Sequence, residues 1–205
     1  MIPRYSSALL ISDLHLTPSM PLTAQRFFDF CEKDTSQVEA VFILGDLFEY
    51  WVGDDAASHS PFQHEVKQAL ANLSNKVKTY YLHGNRDFLL GSAFLKKTGM
   101  TLLPDPSVVK IAGNAYLLAH GDALCTADIG YQVFRAWVRK PWLQKVFLSL
   151  PISWRRAIAN QLRMNSHTNY VRGAQSSYQQ NQIKTDVTKE ACAAILREYS
   201  GDKLI

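Results

Sequence analysis

The feature that most constrains the fold of this chain is a set of four short apolar runs, each ending in polar side chains. Together with the residues that follow them, the runs occupy residues 7–15 (SALLISDLH), 40–51 (AVFILGDLFEYW), 78–87 (KTYYLHGNRD) and 115–122 (AYLLAHGD). The segments between the first three runs, residues 22–33 and 62–73, carry apolar residues at helical spacing. The order strand, helix, strand, helix, strand predicts parallel pairing through right-handed crossovers, and therefore an α/β fold.

Residues that can bind a metal follow each of these runs. The first run, in which we expect Leu9, Leu10 and Ile11 to be buried, emerges into an Asp-x-His pair. Ligands gather outside the carboxyl ends of strands in such sheets, so we expect the polar groups to share one site. The candidate ligands are Asp13, His15, Asp46, Asn85 and His120. Taken singly, each is equally well explained as a turn residue or a satisfied polar group, but their recurrence at four strand ends favours a shared site.

The candidate ligands predict the class of ion. Oxygen ligands mixed with imidazole suit divalent ions such as manganese or iron better than sulfur-rich zinc sites or all-oxygen calcium sites. Asp46 follows the central run and is the natural bridge between two ions. Gly45, Gly84 and Gly121 allow the backbone to turn sharply beside them. Two ions about 3.5 to 4 Å apart activate water for attack on phosphorus without a protein nucleophile.

Composition and charge narrow the class of protein. The chain has 205 residues, 47% of them apolar and 20% charged, which is ordinary for a single globular domain. No run approaches the roughly 20 apolar residues of a membrane span, and the N-terminus lacks a secretory signal pattern, so we expect a cytoplasmic protein. Cys31, Cys125 and Cys192 are scattered and predict unpaired thiols.

Residues 129–185 form a basic, aromatic segment. The segment contains nine Lys or Arg residues and no Asp or Glu, although the net charge of the whole chain is only +4. Large apolar residues, including Trp137, Trp142 and Trp154, are interleaved with the charges, and Pro141 and Pro151 divide the stretch into about three helices. One interpretation is a cap that binds acyl chains and an anionic membrane surface. The alternative is an ordinary helical core with a solvated basic face.

The motifs DLH, GDLFEYW, GNRDFLLG and LCTADIGYQVFR occur in this order from residue 13 to residue 135. Together they resemble the calcineurin-like metallophosphoesterases, and the longer motifs are similar to the branch that acts in lipid A biosynthesis. This resemblance implies an αββα sandwich with an inserted helical cap. It also implies two manganese ions and the hydrolysis of UDP-2,3-diacylglucosamine to UMP and the diacylglucosamine 1-phosphate, with water attacking the α-phosphorus.

The resemblance also implies roles for individual residues. The five candidate ligands match metal ligands of the family, and Asn85 and His120 match its catalytic residues. Asn85 and Arg86 match a pair that contacts the substrate phosphates, which suits the two-pronged guanidinium of Arg. Asp128 matches a contact to the glucosamine headgroup, and Ser166 matches another substrate contact.

The chain departs from the family pattern in two places. A lysine is expected shortly after Ser166, but Tyr170 and Gly173 stand at that spacing, and Arg172 and Lys184 are only candidates for its role. The family continues into a Gly-His-x-His motif that supplies two further ligands, and this sequence stops at residue 205 before any such motif. We therefore expect a C-terminally truncated form that binds metal weakly and has little activity. The remaining histidines are expected to be surface or satisfied groups: His59, His64, His83 and His167.

The predicted organisation is a metallophosphoesterase core of residues 1–125 and 186–205 with a cap of residues 126–185. The expected partners are UDP-2,3-diacylglucosamine and the anionic cytoplasmic face of the inner membrane, with no nucleic acid and no stable protein partner. Two other functions stay open from the residues alone. One is a nuclease or cyclic-nucleotide phosphodiesterase, whose affinity would fall steeply with salt. The other is a lipid-binding protein that has lost catalysis and binds no metal.

Overall fold

The computed structural model describes residues 2–176, 186–199 and 203–205, and the side chains of residues 165–176 lie outside this description. The chain divides into two compact units, one made of Met1–His120 with Leu196–Ile205 and the other of Gly121–Ile195. The core and cap boundaries expected from the sequence stay a prediction about functional domains.

The first unit contains two four-stranded sheets among the described residues. The strands are β1 (Arg4–Tyr5), β2 (Ala8–Ile11), β3 (Ala40–Ile43), β4 (Lys78–Tyr81), β5 (Thr101–Leu102), β6 (Ser107–Ile111), β7 (Asn114–Leu118) and β8 (Lys203–Leu204). In the first sheet the order is β2-β3-β4-β5, and every neighbouring pair is parallel. In the second the order is β1-β6-β7-β8, and only β6 and β7 are antiparallel.

The predicted strand and helix alternation is confirmed. Helix α1 (Pro21–Glu32) connects β2 to β3, and α2 (Asp54–Ala57) and α3 (Pro61–Lys76) lie between β3 and β4. Ser60 caps α3, because its side chain accepts a hydrogen bond from the Gln63 backbone N–H. A further helix, α4 (Ser92–Thr98), separates β4 from β5. Asp46 follows the strand that lies between β2 and β4, as expected for a central position.

The expectation that β2 is buried is wrong. Leu9 is 36% exposed, and Leu10 and Ile11 are only partly buried, whereas all four residues of β3 are fully buried. The reason is the strand order: β2 is an edge strand of its sheet, and β3 has neighbours on both sides. An apolar run predicts that a strand forms, but the position of that strand in the sheet determines how much of it is buried.

The two sheets pack face to face through aromatic and aliphatic residues. Tyr5 of β1 makes an edge contact with Phe42 of β3, with ring centroids 5.7 Å apart, and Phe42 stacks on Tyr80 of β4 at 5.1 Å. Val109 and Leu118 of the second sheet complete this core. A separate cluster packs the opposite face of the first sheet against α1, α3 and α4. These clusters account for three layers of the predicted sandwich and confirm the α/β fold.

The second unit is helical, and its second and third helices begin at Pro141 and directly after Pro151, as predicted. The first three helices are α5 (Ile129–Val138), α6 (Pro141–Ser149) and α7 (Ile152–Ser176), and α8 (Lys189–Tyr199) begins in this unit and ends in the first unit. Neither α5 nor α6 contains a buried residue. Trp137, Trp142 and Trp154 are 50%, 56% and 63% exposed, so the alternative of an ordinary helical core does not describe these tryptophans. Of the described helices, none has the length and apolar character needed to cross a membrane.

A buried carboxylate holds α5 in the second unit. Asp122 lies in a short 3₁₀ helix (Asp122–Leu124) and accepts hydrogen bonds from Tyr131 Oη at 2.7 Å and Arg135 Nε at 2.8 Å. Arg139 Nη2 lies 3.4 Å from the same oxygen. Burial raises the pKa of the Asp122 carboxyl, but the hydrogen bonds from Arg135 and Tyr131 and the two positive charges outweigh burial, so the net pKa lies below its usual value.

Candidate metal centre

The turns that follow β2 and β3 lie side by side and continue the parallel ladder of the sheet. Backbone N–H groups of Asp13, His15 and Leu16 donate to the carbonyls of Gly45, Asp46 and Leu47 at 3.2, 2.9 and 2.9 Å. These bonds fix the first two candidate ligand positions relative to the third. The predicted convergence of strand ends therefore has a backbone cause at this pair of turns.

The backbone at three of the candidate ligands lies in the left-handed region. Asp13, His15 and Asp46 have φ values of 53°, 47° and 51°, and the only other non-glycine residue with positive φ in the described part of the chain is Ala112. Non-glycine residues in this region cost of order 1 to 3 kcal/mol each and cluster at functional sites. The folded structure imposes this conformation at the positions where the sequence predicts metal ligands.

Two glycines allow the turns to approach closely. A Cβ atom on Gly84 would lie 2.1 Å from Asp46 Oδ1 and 2.2 Å from the Asp46 backbone N. Gly45 has a φ of 92°, and its Cβ would lie 2.7 Å from Gly84 Cα and from His120 Nδ1. The role expected of Gly84 was a sharp turn. In the structure, the missing side chain of Gly84 instead allows the Asp46 carboxylate to come close, because the carboxylate occupies the space that a Cβ atom would fill.

Carboxylate and imidazole groups from separate strand ends meet at this place. Donor atoms of Asp13, Asp46 and His120 lie within 4.8 Å of one another. Asp46 Oδ1 is 3.7 Å from His120 Nε2, and Asp46 Oδ2 is 3.8 Å from His15 Nε2. The two oxygens of one buried carboxylate therefore face two different histidines, so each oxygen and its histidine could together hold a cation.

The protonation pattern of His120 follows from its hydrogen bonds. His120 Nδ1 lies 2.9 Å from the Leu44 carbonyl oxygen, and a carbonyl can only accept, so Nδ1 carries the proton. The Nε2 lone pair is then available on the side facing Asp46. A histidine whose other nitrogen donates to a carbonyl is the usual form of a metal ligand.

Asn85 has the character expected of a ligand. Its Oδ1 atom is buried and has no hydrogen-bond partner among the described residues. Its neighbours Gly84 and Arg86 both contact Asp46, the latter through a hydrogen bond from its backbone N–H to Asp46 Oδ1 at 2.8 Å. A buried acceptor without a donor calls for an explanation, and a divalent cation is one that fits the surrounding carboxylates and imidazoles.

The electrostatics of Asp46 also suit a cation. Burial raises the pKa of this carboxyl to about 6, against the lowering effects of His120 and the Arg86 backbone N–H. A bound cation opposes the effect of burial because it stabilises the ionised form. The carboxylate, amide and imidazole donors of Asp13, His15, Asp46, Asn85 and His120 fit divalent metal ions in their chemistry; of the five residues Asp46 is buried and Asp13 is exposed.

Asp87 is a supporting residue that the sequence reasoning missed. Its side chain is fully buried, with Oδ2 accepting from the backbone N–H groups of Leu47 at 2.7 Å and Phe48 at 3.2 Å. Its Oδ1 accepts from the Gly84 N–H at 3.0 Å. Asp87 therefore ties the turn after β3 to the turn after β4. The sequence signal for this residue is its place at the end of the GNRD motif.

The predicted substrate contacts fall in different parts of the structure. The Arg86 side chain is 37% exposed and its Nη1 lies 3.3 Å from Glu49 Oε1. Asp128 belongs to the second unit, where its side chain caps α5 by accepting from the Tyr131 N–H at 2.9 Å. Ser166 lies in α7, and its side chain is outside the described residues. The roles assigned to Arg86, Asp128 and Ser166 stay predictions.

The other histidines do not join the cluster where they are described. His83 Nε2 lies 2.8 Å from the Leu90 carbonyl oxygen, so it is a satisfied histidine as expected. His59 follows α2, and His64 is an exposed residue of α3. The side chain of His167 lies outside the described residues, as do those of Tyr170 and Arg172. Gly173 is described by its backbone in α7 alone, and Lys184 falls wholly outside the description.

The chain belongs to the calcineurin-like phosphoesterase family, whose profile matches residues 7–199. Within that family it is similar to UDP-2,3-diacylglucosamine hydrolases. It is 43% identical over 200 residues to the one from Aeromonas salmonicida strain A449, covering 97% of this chain and 75% of the relative. It is 40% identical over 198 residues to the one from Photorhabdus laumondii subsp. laumondii, covering 96% of this chain and 79% of the relative.

Similarity to solved structures is lower. A Pseudomonas putida nuclease aligns over 50% of this chain and 50% of its own, with 19% sequence identity and a TM-score of 0.39. A similarity of this size supports no argument about function.

Proposed function

We propose that the protein hydrolyses the pyrophosphate bond of UDP-2,3-diacylglucosamine, with two manganese ions as cofactors. The observation that carries the proposal is the Asp46 carboxylate, whose two oxygens lie 3.7 and 3.8 Å from the Nε2 atoms of two histidines. The membership of the calcineurin-like phosphoesterase family and the names of the relatives supply the reaction class and the substrate.

The proposed reaction cleaves the pyrophosphate bond of the substrate at its α-phosphorus. Water adds its oxygen to that phosphorus, and the bond from the phosphorus to the bridging oxygen breaks. The uridine side leaves as UMP and the lipid side leaves as 2,3-diacylglucosamine 1-phosphate. When bound, divalent ions lower the pKa of water and neutralise charge on phosphoryl oxygens.

The protein groups have separate tasks in this proposal. Asp13, His15, Asp46, Asn85 and His120 hold the ions, and Asn85 and His120 also act at the reacting phosphorus. The guanidinium of Arg86, which is 37% exposed and therefore accessible, binds phosphate oxygens. Two further residues complete the proposed substrate contacts, with Asp128 binding the glucosamine headgroup and Ser166 binding another part of the substrate.

The helical second unit is proposed to bind the lipid part of the substrate and the membrane surface. Ile129 is 73% exposed and the three tryptophans of α5, α6 and α7 are each at least half exposed. Lys140 lies 4.0 Å from the centre of the Trp137 ring, so a cation and an aromatic group meet on this surface. Basic residues beside exposed tryptophans favour the interface of an anionic membrane. We therefore propose peripheral attachment to the cytoplasmic face of the inner membrane.

The two other functions considered from the sequence receive less support. The relatives at 43% and 40% identity are hydrolases of a nucleotide-linked lipid, which favours that substrate over nucleic acid. The cluster of Asp13, Asp46 and His120 favours a metal-dependent enzyme over a binding protein without metal.

The test is a hydrolysis assay on chelator-treated protein with and without added manganese. We expect UMP and 2,3-diacylglucosamine 1-phosphate to appear in equal amounts, at the low rate expected from the sequence, and only when manganese is present. Asp46→Asn should lose most or all of this activity. Glu65→Gln also replaces a carboxylate with an amide, but at an exposed position of α3, and it should retain the activity. Absence of UMP release by manganese-loaded protein, or full release by Asp46→Asn, would contradict the proposal.

A further inference from the structure

Glu49 lies between a candidate metal ligand and the predicted phosphate-binding arginine. Its Oε2 is 3.5 Å from His15 Nδ1, and its Oε1 is 3.3 Å from Arg86 Nη1. The side chain is only 21% exposed, and the Glu49 backbone N–H donates to the Leu16 carbonyl at 3.3 Å. The backbone of Glu49 is therefore fixed, and its mostly covered carboxylate directs one oxygen toward each neighbour.

The Glu49 carboxylate lies beside the Nδ1 nitrogen of the His15 ring. His15 Nε2 faces Asp46, and Nδ1, the other ring nitrogen, faces Glu49. That Nδ1 atom is buried and makes no hydrogen bond among the described residues, and the negative charge of Glu49 lies 3.5 Å away. A carboxylate behind a ligating histidine favours the proton on Nδ1 and leaves Nε2 free for a cation.

The contact with Arg86 fixes the far end of a long side chain. The backbone of Arg86 is already held, because its N–H donates to Asp46 Oδ1 at 2.8 Å and its carbonyl accepts from the Trp51 N–H at 3.1 Å. Glu49 engages one arm of the guanidinium at 3.3 Å. The five N–H donors of a guanidinium leave others for phosphate oxygens.

We propose that Glu49 is a positioning residue that fixes the His15 imidazole and the Arg86 guanidinium relative to each other, so that metal binding and phosphate binding depend on one carboxylate. This inference rests on the proposed function for the role of Arg86, but its effect on metal binding does not require the lipid substrate.

The chemistry of the Glu49 carboxylate suggests a substitution that tests the proposal directly. With the proton on His15 Nδ1, both neighbours of Glu49 present N–H donors, and only a group with two acceptor oxygens satisfies both. Glu49→Gln keeps the size and shape of the side chain but replaces one acceptor with an NH₂ donor. Whichever way the amide turns, an NH₂ group faces either His15 or Arg86. A residue that only fills space would tolerate this change.

The experiment compares Glu49→Gln with Glu65→Gln, which removes the same charge from an exposed position of α3. Manganese is titrated into each metal-free protein by calorimetry. We expect Glu49→Gln to bind manganese about 10- to 100-fold more weakly, the usual effect of losing a carboxylate behind a metal ligand. Urea unfolding of the metal-free proteins checks that both variants fold.

A double-mutant cycle with Arg86→Lys tests the second contact. Lysine keeps the charge but lacks the planar fork. Glu49→Gln should raise the KM for UDP-2,3-diacylglucosamine in the wild-type background and raise it much less in the Arg86→Lys background. Additive effects on KM, or a manganese affinity equal to that of Glu65→Gln, would overturn the proposal.

The outcomes separate this inference from the proposed function. If the wild-type protein releases no UMP but Glu49→Gln still weakens manganese binding, the proposed reaction fails and the positioning of His15 stands. If the wild-type protein releases UMP and Glu49→Gln matches Glu65→Gln in manganese affinity or in KM, the positioning role fails and the reaction stands.

Discussion

Adding a single methyl group at Gly84 should disable the metal centre. The new Cβ would lie 2.1 Å from Asp46 Oδ1 and 2.2 Å from the Asp46 backbone N, more than 1 Å short of ordinary van der Waals contact, which begins at 3.4 Å. The backbone atom cannot rotate away as a flexible side chain would, so the turn after β4 and the turn after β3 must separate. Overpacking of this kind costs about 1 to 3 kcal/mol of stability.

The larger effect of Gly84→Ala should fall on function. A displacement of about 1 Å in a catalytic constellation is enough to cost about 100-fold in rate. We expect a loss of that order in UMP release and a clear weakening of manganese binding, measured by a coupled assay and by calorimetry. Urea unfolding of the metal-free protein should show the smaller loss of stability.

Gly113→Ala is the matched control. Gly113 also has a positive φ, of 84°, but a Cβ there would meet nothing within 4 Å. Its substitution should cost about 1 to 2 kcal/mol of stability through backbone strain alone and leave manganese binding unchanged. Wild-type manganese affinity and activity in Gly84→Ala would refute the reasoning, because the close approach of the two turns would then be unnecessary.

Three further predictions concern other parts of the molecule. Asp87→Asn should lower the free energy of unfolding by about 1 to 3 kcal/mol in urea titrations, because its amide NH₂ opposes a buried backbone N–H; wild-type stability would show that the three hydrogen bonds are dispensable. The lowered pKa of Asp122 means that its stabilising effect is complete above the unfolded-state pKa of about 3.9 and is lost as the pH falls through the folded-state value. Asp122→Asn should therefore be less stable than wild type at pH 7 by urea titration, with the difference shrinking in acid; a difference that stays constant with pH would contradict this. Trp142→Ala with Phe147→Ala should reduce hydrolysis of the diacylated substrate far more than that of a short chromogenic phosphodiester, and equal losses would argue against lipid binding by α6.

The order of strands and helices in the first unit was predictable because it depends on local periodicity. The helices predicted at residues 22–33 and 62–73 appear as Pro21–Glu32 and Pro61–Lys76. The exposure of Leu9 was not predictable in the same way. Whether a strand lies at the edge or the centre of a sheet depends on pairing partners that are distant in sequence, and an apolar run carries no information about them.

The candidate site also contains residues that the sequence predicts and residues that it does not. Asp13, Asp46 and His120 meet because strand ends of two sheets converge, and the recurring motif was enough to predict that they would. Glu49 and Asp87 were missed although both lie in the quoted motifs. Their importance comes from what their oxygens contact, at 3.3 and 3.5 Å for Glu49 and at 2.7 to 3.2 Å for Asp87, and such contacts join residues about 35 to 40 positions apart.

The hydrogen bonds from Asp13, His15 and Leu16 to the turn after β3 are made by the main chain and require no cation. The ligand-bearing turns are thus assembled when the sheet folds, and ion uptake need not bear the entropic cost of ordering a loop. A cell short of the ion would hold a folded but idle pool of this protein. Resupply would then restore activity at the speed of ion uptake, without new synthesis or refolding.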